Sequence, residues 1–446
     1  MKSAVVIGAG PNGLAGAVKL AESGFDVTLH EEAETVGGGC RTAELTLPGF
    51  RHDICAAVLP LARNSPAFAG LDLEWIDPPV PAAHALDGDA VTLERTLEGT
   101  AYGLGADAQN YRALVEPFVR AWPRRWSRWD LFRLRPSLAR GLLSARAVAR
   151  LFSTERARGF FAGHAAHSVL PLERAGSAGF GLVLCAAAHV DGWPFLRGGS
   201  QQLVDALAAR LSSLGGEIVT SSRVDELPRA DIVLCDLAPT ELARIAGLTN
   251  YARSFRHAPG AFKLDWALDG PIPWASDECR RAGTVHLGGR FAEIADSERA
   301  PWDGRAPGAK PFVILTQPSL FDSSRAPDGK HTAWAYCHVP LGWEGDATAA
   351  IEAQVERFAP GFRELILARH VMAPRDFEAY NRNDIGGDVV GGANTLRQLV
   401  ARPTLRAVPW RTPLRGVYLC SASTPPGGGV HGLCGLAAAR LALRDQ

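Results

Sequence analysis

An α/β fold in which a nucleotide-binding domain is interrupted by inserted segments is predicted for this 446-residue chain by three observations. A short apolar run at the N-terminus leads into a glycine-rich turn and a helical repeat. Val417 to Leu419 leads into a second glycine-rich turn and a second helical repeat near the C-terminus. Between the two, after about residue 259, the pattern changes to longer alternating strands.

Ala4-Val5-Val6-Ile7 is continuous, apolar and rich in β-branched residues, so it reads as a buried strand feeding Gly8-Ala9-Gly10-Pro11-Asn12-Gly13. Leu14, Ala17, Val18 and Ala21 recur at helical spacing, Gly24 ends the helix, and Asp26-Val27-Thr28-Leu29-His30 alternates into a second strand. This is a βαβ unit. Gly8 permits the tight turn, Gly10 lets the backbone approach a pyrophosphate, and Gly13 lets helix and strand pack closely. Pro11 and Asn12 open the helix, whose free N–H groups face the phosphates. Glu31, with Glu32 beside it, stands at the tip of the second strand, where a carboxylate accepts hydrogen bonds from ribose hydroxyls. The unit is Rossmann-like and binds a dinucleotide, with NAD and FAD both open at this point.

Val36-Gly37-Gly38-Gly39-Cys40-Arg41-Thr42 follows the acidic residues, and the far end reads Gly416-Val417-Tyr418-Leu419-Cys420-Ser421-Ala422-Ser423-Thr424-Pro425-Pro426-Gly427-Gly428-Gly429-Val430-His431-Gly432. With these two strings the sequence resembles the FAD-dependent amine oxidase and phytoene desaturase superfamily. It is similar above all to the group labelled pyridine nucleotide-disulphide oxidoreductase domain-containing protein 2. The string Pro48-Gly49-Phe50-Arg51-His52-Asp53 matches the same group. The resemblance implies FAD as cofactor, with Gly38 and Gly39 packed on it and Arg41 serving the pyrophosphate, although the amine oxidases carry their Arg directly after the glycine pair, where this chain has Gly39. It implies that Ser421 lies by the ribityl phosphate, and that Gly428, Gly429, Val430 and His431 lie at the flavin, at the start of a helix running from about Val430. A helix N-terminus there stabilises the negative charge of a reduced flavin.

In the middle of the chain, Gly198-Gly199-Ser200 precedes a helical repeat of Leu203, Val204, Leu207, Ala208 and Leu211, with Ser200 as the predicted N-cap. Strands at 217–220 and 230–235 follow, and the resemblance places the backbone of Val224 against adenine. Alternating strands at 261–268, 312–317 and 332–339 indicate a mostly antiparallel sheet. Its first strand carries Lys263, which the resemblance places near flavin N5; a salt bridge to Asp265 is the alternative reading. The expected organisation is a discontinuous Rossmann-like FAD-binding domain (1–104 with 196–258 and 403–446), an inserted mixed-sheet α+β substrate domain (259–402) and a helical lobe (105–195).

Forty-seven basic and 47 acidic residues give zero net charge, which argues against a nucleic-acid partner. Residues 117–158 nevertheless hold eleven Arg against Asp130 and Glu155, interleaved with Trp122, Trp126, Trp129 and Phe132. Leu138, Leu142, Val148 and Phe152 fall on one side of a helical wheel and Arg140, Arg146 and Arg150 on the other. That pattern fits a solvated lobe over the substrate cleft, with peripheral contact with an anionic membrane as the other reading. The eight cysteines are scattered, without CxxC, as in a reduced cytoplasmic protein. His164 and His167 are three apart without a third ligand pattern, so no metal is expected. Neither a signal peptide nor a membrane span is predicted, and the pattern specifies no oligomeric state. The predicted function is an FAD-dependent oxidoreductase that removes a hydride from an apolar small molecule, with Lys263 and His431 beside the flavin. The alternatives are an oxygen-dependent amine oxidase and a flavin-binding protein without turnover.

Overall fold

The structure, a computed structural model, describes residues 2–122 and 138–446. Its strands are β1 (Ser3–Ile7), β2 (Asp26–His30), β3 (Thr42–Glu44), β4 (Arg51–Asp53), β5 (Trp75–Ile76), β6 (Val80–Leu86), β7 (Asp89–Leu93) and β8 (Phe195–Leu196). They continue with β9 (Glu217–Val219), β10 (Ile232–Cys235), β11 (Gly260–Leu268), β12 (Ala282–Leu287), β13 (Val313–Thr316), β14 (His331–Val339), β15 (Ile366–Met372) and β16 (Val417–Leu419).

Five strands form a parallel sheet in the order β16-β10-β1-β2-β9. Apolar β1 takes the centre, with Val6 in register between Leu29 and Leu234. Both faces of such a sheet need cover. Helix α1 (Pro11–Ala21), the helix Gln201–Ser213 and the C-terminal helix Leu433–Asp445 supply one core through Leu14, Leu203, Leu207 and Leu441. The helix Pro239–Ile245 supplies another through Leu242 and Ile245, packed with Val233 and Leu419. α1 and the C-terminal helix touch backbone to backbone, since a Cβ on Gly435 would stand 1.8 Å from the Asn12 carbonyl oxygen. This contact brings the two glycine-rich ends of the chain together.

The other large sheet runs β15-β11-β14-β13-β12-β6-β7 and is antiparallel except between β12 and β6. Alternation along its strands separates two faces. Phe262, Leu264, Trp266, Val285, Leu315 and Ala335 pack under the helix Thr348–Phe358. The opposite face carries Lys263, Tyr336, Ile314, His286 and His84, which are successive cross-strand partners. Against it lie helices Ala108–Ala121, Glu155–Ala166 and Ser177–Val190, whose Tyr111, Phe160, Phe161 and Leu182 share a core with Phe312 and Ile314.

Several expectations change. β6 and β7 fall inside the segment 1–104 expected for the FAD domain, yet they complete the second sheet, because apolar Val80 to Ala85 finds its partner in β12. Ser200 does not cap its helix: its hydroxyl donates to Asp53 at 3.0 Å, a buried carboxylate being the stronger acceptor. The C-terminal helix begins at Leu433 rather than Val430, because Gly432 at φ 63° breaks the helical path. In the basic segment, Trp126, Trp129 and Phe132 lie outside the described residues, as does the side chain of Leu138. Past it, the expected continuous helix is a 3-10 turn (Leu138–Leu142) and a short helix (Ala145–Ala149). Ser144 starts a new helix there by accepting from the Ala147 N–H at 3.1 Å.

Candidate active site

The glycine turn between β1 and α1 is a cradle in which each missing side chain is required. Gly8 has φ 98°, and a Cβ on Gly13 would stand 2.0 Å from the Gly8 carbonyl oxygen. Within the first turn of α1 the buried Asn12 has a side-chain oxygen without a hydrogen-bond partner. An orphaned amide, a helix N-terminus and a surface of bare backbone are what a pyrophosphate uses, so the residues fit the dinucleotide.

Glu31 is positioned by β2 and held from several sides. Its carboxylate accepts from the Ala9 N–H at 2.7 Å, the Ala33 N–H at 3.0 Å and Arg41 Nη2 at 3.1 Å. Arg41 also donates to the Thr35 carbonyl at 2.7 Å and lies over the Tyr380 ring, so its guanidinium is placed beside Glu31. Gly38 rests on the turn, with its absent Cβ only 3.0 Å from the Gly10 Cα, and Gly39 faces Cys55. Glu32 is exposed and pairs with Arg382 at 2.8 Å. Val224 is half-buried, and its segment is tied to the strand tip by the Ser222 N–H donating to the Glu31 carbonyl at 2.8 Å.

The C-terminal motif follows β16. Ser421 turns the chain by accepting from Thr424 Oγ1 at 2.8 Å on its carbonyl. Gly428 packs on the Val390 carbonyl, where a Cβ would stand 2.5 Å away; Gly429 is exposed and Val430 half-buried. His431 is buried, accepts the Leu433 N–H on Nδ1 at 3.1 Å and takes a hydrogen bond from Ser65 on its carbonyl. Desolvation lowers its pKa to about 4, so a neutral imidazole caps the C-terminal helix.

Asp236, immediately after β10, was not among the expected site residues, although an acid at the tip of a parallel strand is a readable signal. Its Oδ2 accepts the Gly13 N–H at 2.9 Å and would lie 2.8 Å from a Cβ on Gly10. Burial raises its pKa from 3.8 to about 7, with nearby Glu31 adding to the rise. Between those values the native chain holds a proton that the unfolded chain has lost, so this group costs stability as pH climbs. Without added FAD, Asp236→Asn should therefore raise Tm relative to the parent above about pH 7 and leave it unchanged below 3.8. Equal Tm values at the higher pH would remove that role.

Lys263 is buried, and its Nζ lies 2.5 Å from both oxygens of Asp265. Burial would raise the Asp265 pKa, yet Lys263 and the neighbouring His370 and His52 hold it below its ordinary value. Lys263 Nζ also stands 5.5 Å over the Trp334 ring, and Trp334 and Tyr336 are 5.7 Å apart, tilted by 32°. The Trp334 ring thus has the Lys263 side chain as its cation–π partner.

A second buried network was not expected. Arg325 Nη2 donates to Asp53 at 2.6 Å and Nε to Asp322 at 3.1 Å. Asp53 also accepts from Thr42 at 2.7 Å and the Ser200 N–H at 2.8 Å, and Asp322 from the Gly198 N–H at 2.8 Å. The segment before β14 is thereby fastened to β4 and the Gly198–Ser200 loop. Among the described residues no group of three His, Cys, Asp or Glu is arranged to hold a metal, and no helix is long and apolar enough to cross a membrane. All eight cysteines are free.

Residues 6–71 match the family described as NAD(P)-binding Rossmann-like domain. The chain is 24% identical to mouse pyridine nucleotide-disulfide oxidoreductase domain-containing protein 2, covering 99% of this chain and 93% of the relative. It is 25% identical to the lycopene-forming phytoene desaturase of Pseudescherichia vulneris, covering 99% of each. Among solved structures, cyclohexylamine oxidase from Brevibacterium oxydans superposes with a TM-score of 0.62 at 14% identity, covering 100% of this chain and 98% of that one. The chain therefore has a Rossmann-like dinucleotide-binding domain, shares its fold with an amine oxidase, and is similar along nearly its whole length to a phytoene desaturase.

Proposed function

We propose that this protein is an FAD-dependent oxidoreductase that removes a hydride from an apolar organic substrate in a desaturation or dehydrogenation. The observation that carries this reading is the backbone contact of α1 with the C-terminal helix, which joins both glycine-rich ends in one site. Gly8, Gly10, Pro11, Asn12 and Gly13 would hold the pyrophosphate and Glu31 the ribose. Gly38 and Gly39 would lie along the cofactor, with Ser421, Gly428, Gly429 and Val430 at its flavin half. When bound, FAD supplies the hydride acceptor. His431 keeps the helix N-terminus in place as a neutral cap. Lys263, fixed by Asp265, holds a proton on Nζ in a buried site and can donate it as a hydrogen bond.

The strands of the parallel sheet form the FAD domain in this reading. The seven-stranded sheet, with β6 and β7, forms the substrate domain, and the described residues of 105–195 cover it as a lobe. An oxygen-dependent amine oxidase is less well supported, because the likeness to cyclohexylamine oxidase is one of fold at 14% identity, whereas the likeness to the phytoene desaturase extends over 99% of the chain at 25% identity. Val148 and Phe152 of the expected apolar side are buried in the lobe's core, so membrane contact rests on Leu142, Leu143 and Leu151, which are 52%, 46% and 47% exposed beside the exposed Arg150. Flotation with anionic liposomes at low salt should fall when Arg140, Arg146 and Arg150 become Gln; unchanged flotation would remove this contact.

The deciding experiment is anaerobic bleaching of the purified protein across apolar alcohols, amines and polyenes. A yellow protein bleached by one of these classes is expected. Protein that is colourless and gains no thermal stability from added FAD would overturn the proposal. With the bleaching substrate in hand, Lys263→Met combined with Asp265→Asn, which leaves no buried charge unpaired, should slow bleaching about a hundredfold. Bleaching at the parent rate would end the assignment of Lys263.

A further inference from the structure

Arg402, in the stretch between β15 and β16, is a cation held inside the protein without an anion. It is 1% exposed. Its Nη2 donates to the Gly391 carbonyl at 2.8 Å and the Gly392 carbonyl at 2.5 Å, and its Nη1 to Asn394 Oδ1 at 3.2 Å. All of these acceptors are neutral, and Nε is buried without a partner. The other buried cations among the described residues each hold a carboxylate: Arg41 pairs with Glu31, Lys263 with Asp265, and Arg325 with Asp53 and Asp322.

Asp388, the carboxylate within electrostatic reach of Arg402, makes no ion pair with it and is committed elsewhere. Its Oδ2 accepts from His257 Nδ1 and the Ala258 N–H, each at 3.0 Å, and its Oδ1 from the Val390 N–H at 3.2 Å. The nearby Cys434 thiol stays protonated, because burial pushes its pKa up to about 11. Two glycines fix the guanidinium by shape: a Cβ on Gly392, at φ 114°, would stand 2.9 Å from Nη2, and one on Gly427, at φ 117°, would stand 2.9 Å from Nη1. The charge is thus clamped between the 391–394 turn and the C-terminal glycine motif, whose Gly428 packs on the Val390 carbonyl.

A guanidinium taken out of water without a counter-ion is costly, and the cost falls when negative charge arrives nearby. Sheet order gives the side on which a cofactor would bring it. Glu31 marks the tip of β2 and the glycine cradle the tip of β1, so a dinucleotide with its ribose on Glu31 sends its other half away from β2, toward β16 and the motif that follows it. The contact of Gly435 with Asn12 brings the helix after that motif to the same cradle. Arg402 meets this motif at Gly427, on the side where the flavin half falls in the reading above. Hydride transfer breaks a substrate C–H bond and moves the hydrogen with its electron pair to the flavin, which gains one negative charge.

We propose that Arg402 sets the electron affinity of bound FAD: acting through space rather than by contact, its unpaired charge stabilises the reduced flavin over the oxidised one. This rests on the oxidoreductase reading above and adds to it the residue that tunes the cofactor. The test is the midpoint potential of the FAD-loaded full chain near neutrality, from anaerobic reduction against a reference dye, measured beside the Kd of oxidised FAD. The parent's potential should lie above that of free FAD in the same buffer. At an effective dielectric constant of about 20, one charge within roughly 12 Å changes such an equilibrium about tenfold. Arg402→Gln and Arg402→Met should therefore weaken binding of reduced FAD about tenfold relative to oxidised FAD, which lowers the two-electron potential by about 30 mV. A merely structural Arg402 would weaken both forms alike and leave the potential where it was. An unchanged potential in variants that retain FAD would overturn the proposal. So would a parent potential at or below that of free FAD, a result that needs no variant to fold. Either result in yellow protein overturns the role of Arg402 alone; a colourless parent that takes up no FAD overturns the cofactor reading and this role with it.

Discussion

Gly13→Ala should yield a chain that no longer retains FAD. The added Cβ would stand 2.0 Å from the Gly8 carbonyl oxygen and 3.2 Å from the Asp236 Cβ. The first of these is backbone, so no side-chain rotation relieves the clash. Either α1 slides away from β1 or the turn opens, and each displaces the N–H groups aimed at the pyrophosphate. The strain itself is worth about 1–3 kcal/mol. The larger loss is the stabilisation by bound cofactor, about 2.7 kcal/mol at a ligand concentration a hundred times Kd. Thermal unfolding with and without FAD measures both: the variant should melt lower than the parent and fail to gain from FAD. Gly103→Ala is the control, because nothing lies within 4 Å of its added Cβ. A Gly13→Ala protein that is as yellow as the parent would refute the cradle.

Asp53→Ala should be the most destabilising single change outside the cofactor cradle, at about 3–5 kcal/mol. It removes the carboxylate that accepts from Arg325 Nη2, leaving the fully buried guanidinium with Asp322 as its remaining carboxylate, and leaves the Ser200 N–H without its acceptor. Burial alone would raise the Asp53 pKa, but Arg325 and the donors from Ser200 and Thr42 hold it below 3.8. The sign of the linkage follows. Above 3.8 the native carboxylate is charged and paired and contributes its full stability; as pH falls below that value the unfolded chain takes up the proton first and the contribution is lost. Urea unfolding should therefore show a gap between parent and variant that is widest near neutrality and narrows in acid. A gap independent of pH would mean that lost packing, rather than the ion pair, governs the change.

What could be read along the chain was what neighbouring residues decide between themselves. β1, α1 and β2 follow from apolar period, glycine placement and a turn only three residues long, and β2 spans the expected Asp26–His30. β11 and β14 likewise lie where alternation put them. Ser200 was misread because its local setting, a serine before a helical repeat, is the same whether or not a distant carboxylate arrives. The pair Lys263 and Asp265 was legible as an alternative, since residues two apart on a strand share a face.

The partners that meet only on folding were not legible. Arg325 is one of 42 arginines, and nothing within its own segment distinguishes it from the others. Asp53 makes it buried and structural from 272 positions away. β6 and β7 read like neighbours of the N-terminal unit until β12 supplies their edge. Arg402, Gly392 and Gly427 lie in separate turns, and only the packing of those turns unites them. The sequence by itself determined the Rossmann-like unit, because steric rules over a few residues govern turns and periodicity; the return of the C-terminus to it and FAD as its dinucleotide followed from the resemblance that the two glycine-rich strings carry. Only the tertiary structure decided which charges are buried together, which strands close the second sheet and which cation is buried without an anion, because burial and cross-strand register depend on segments far apart in the chain.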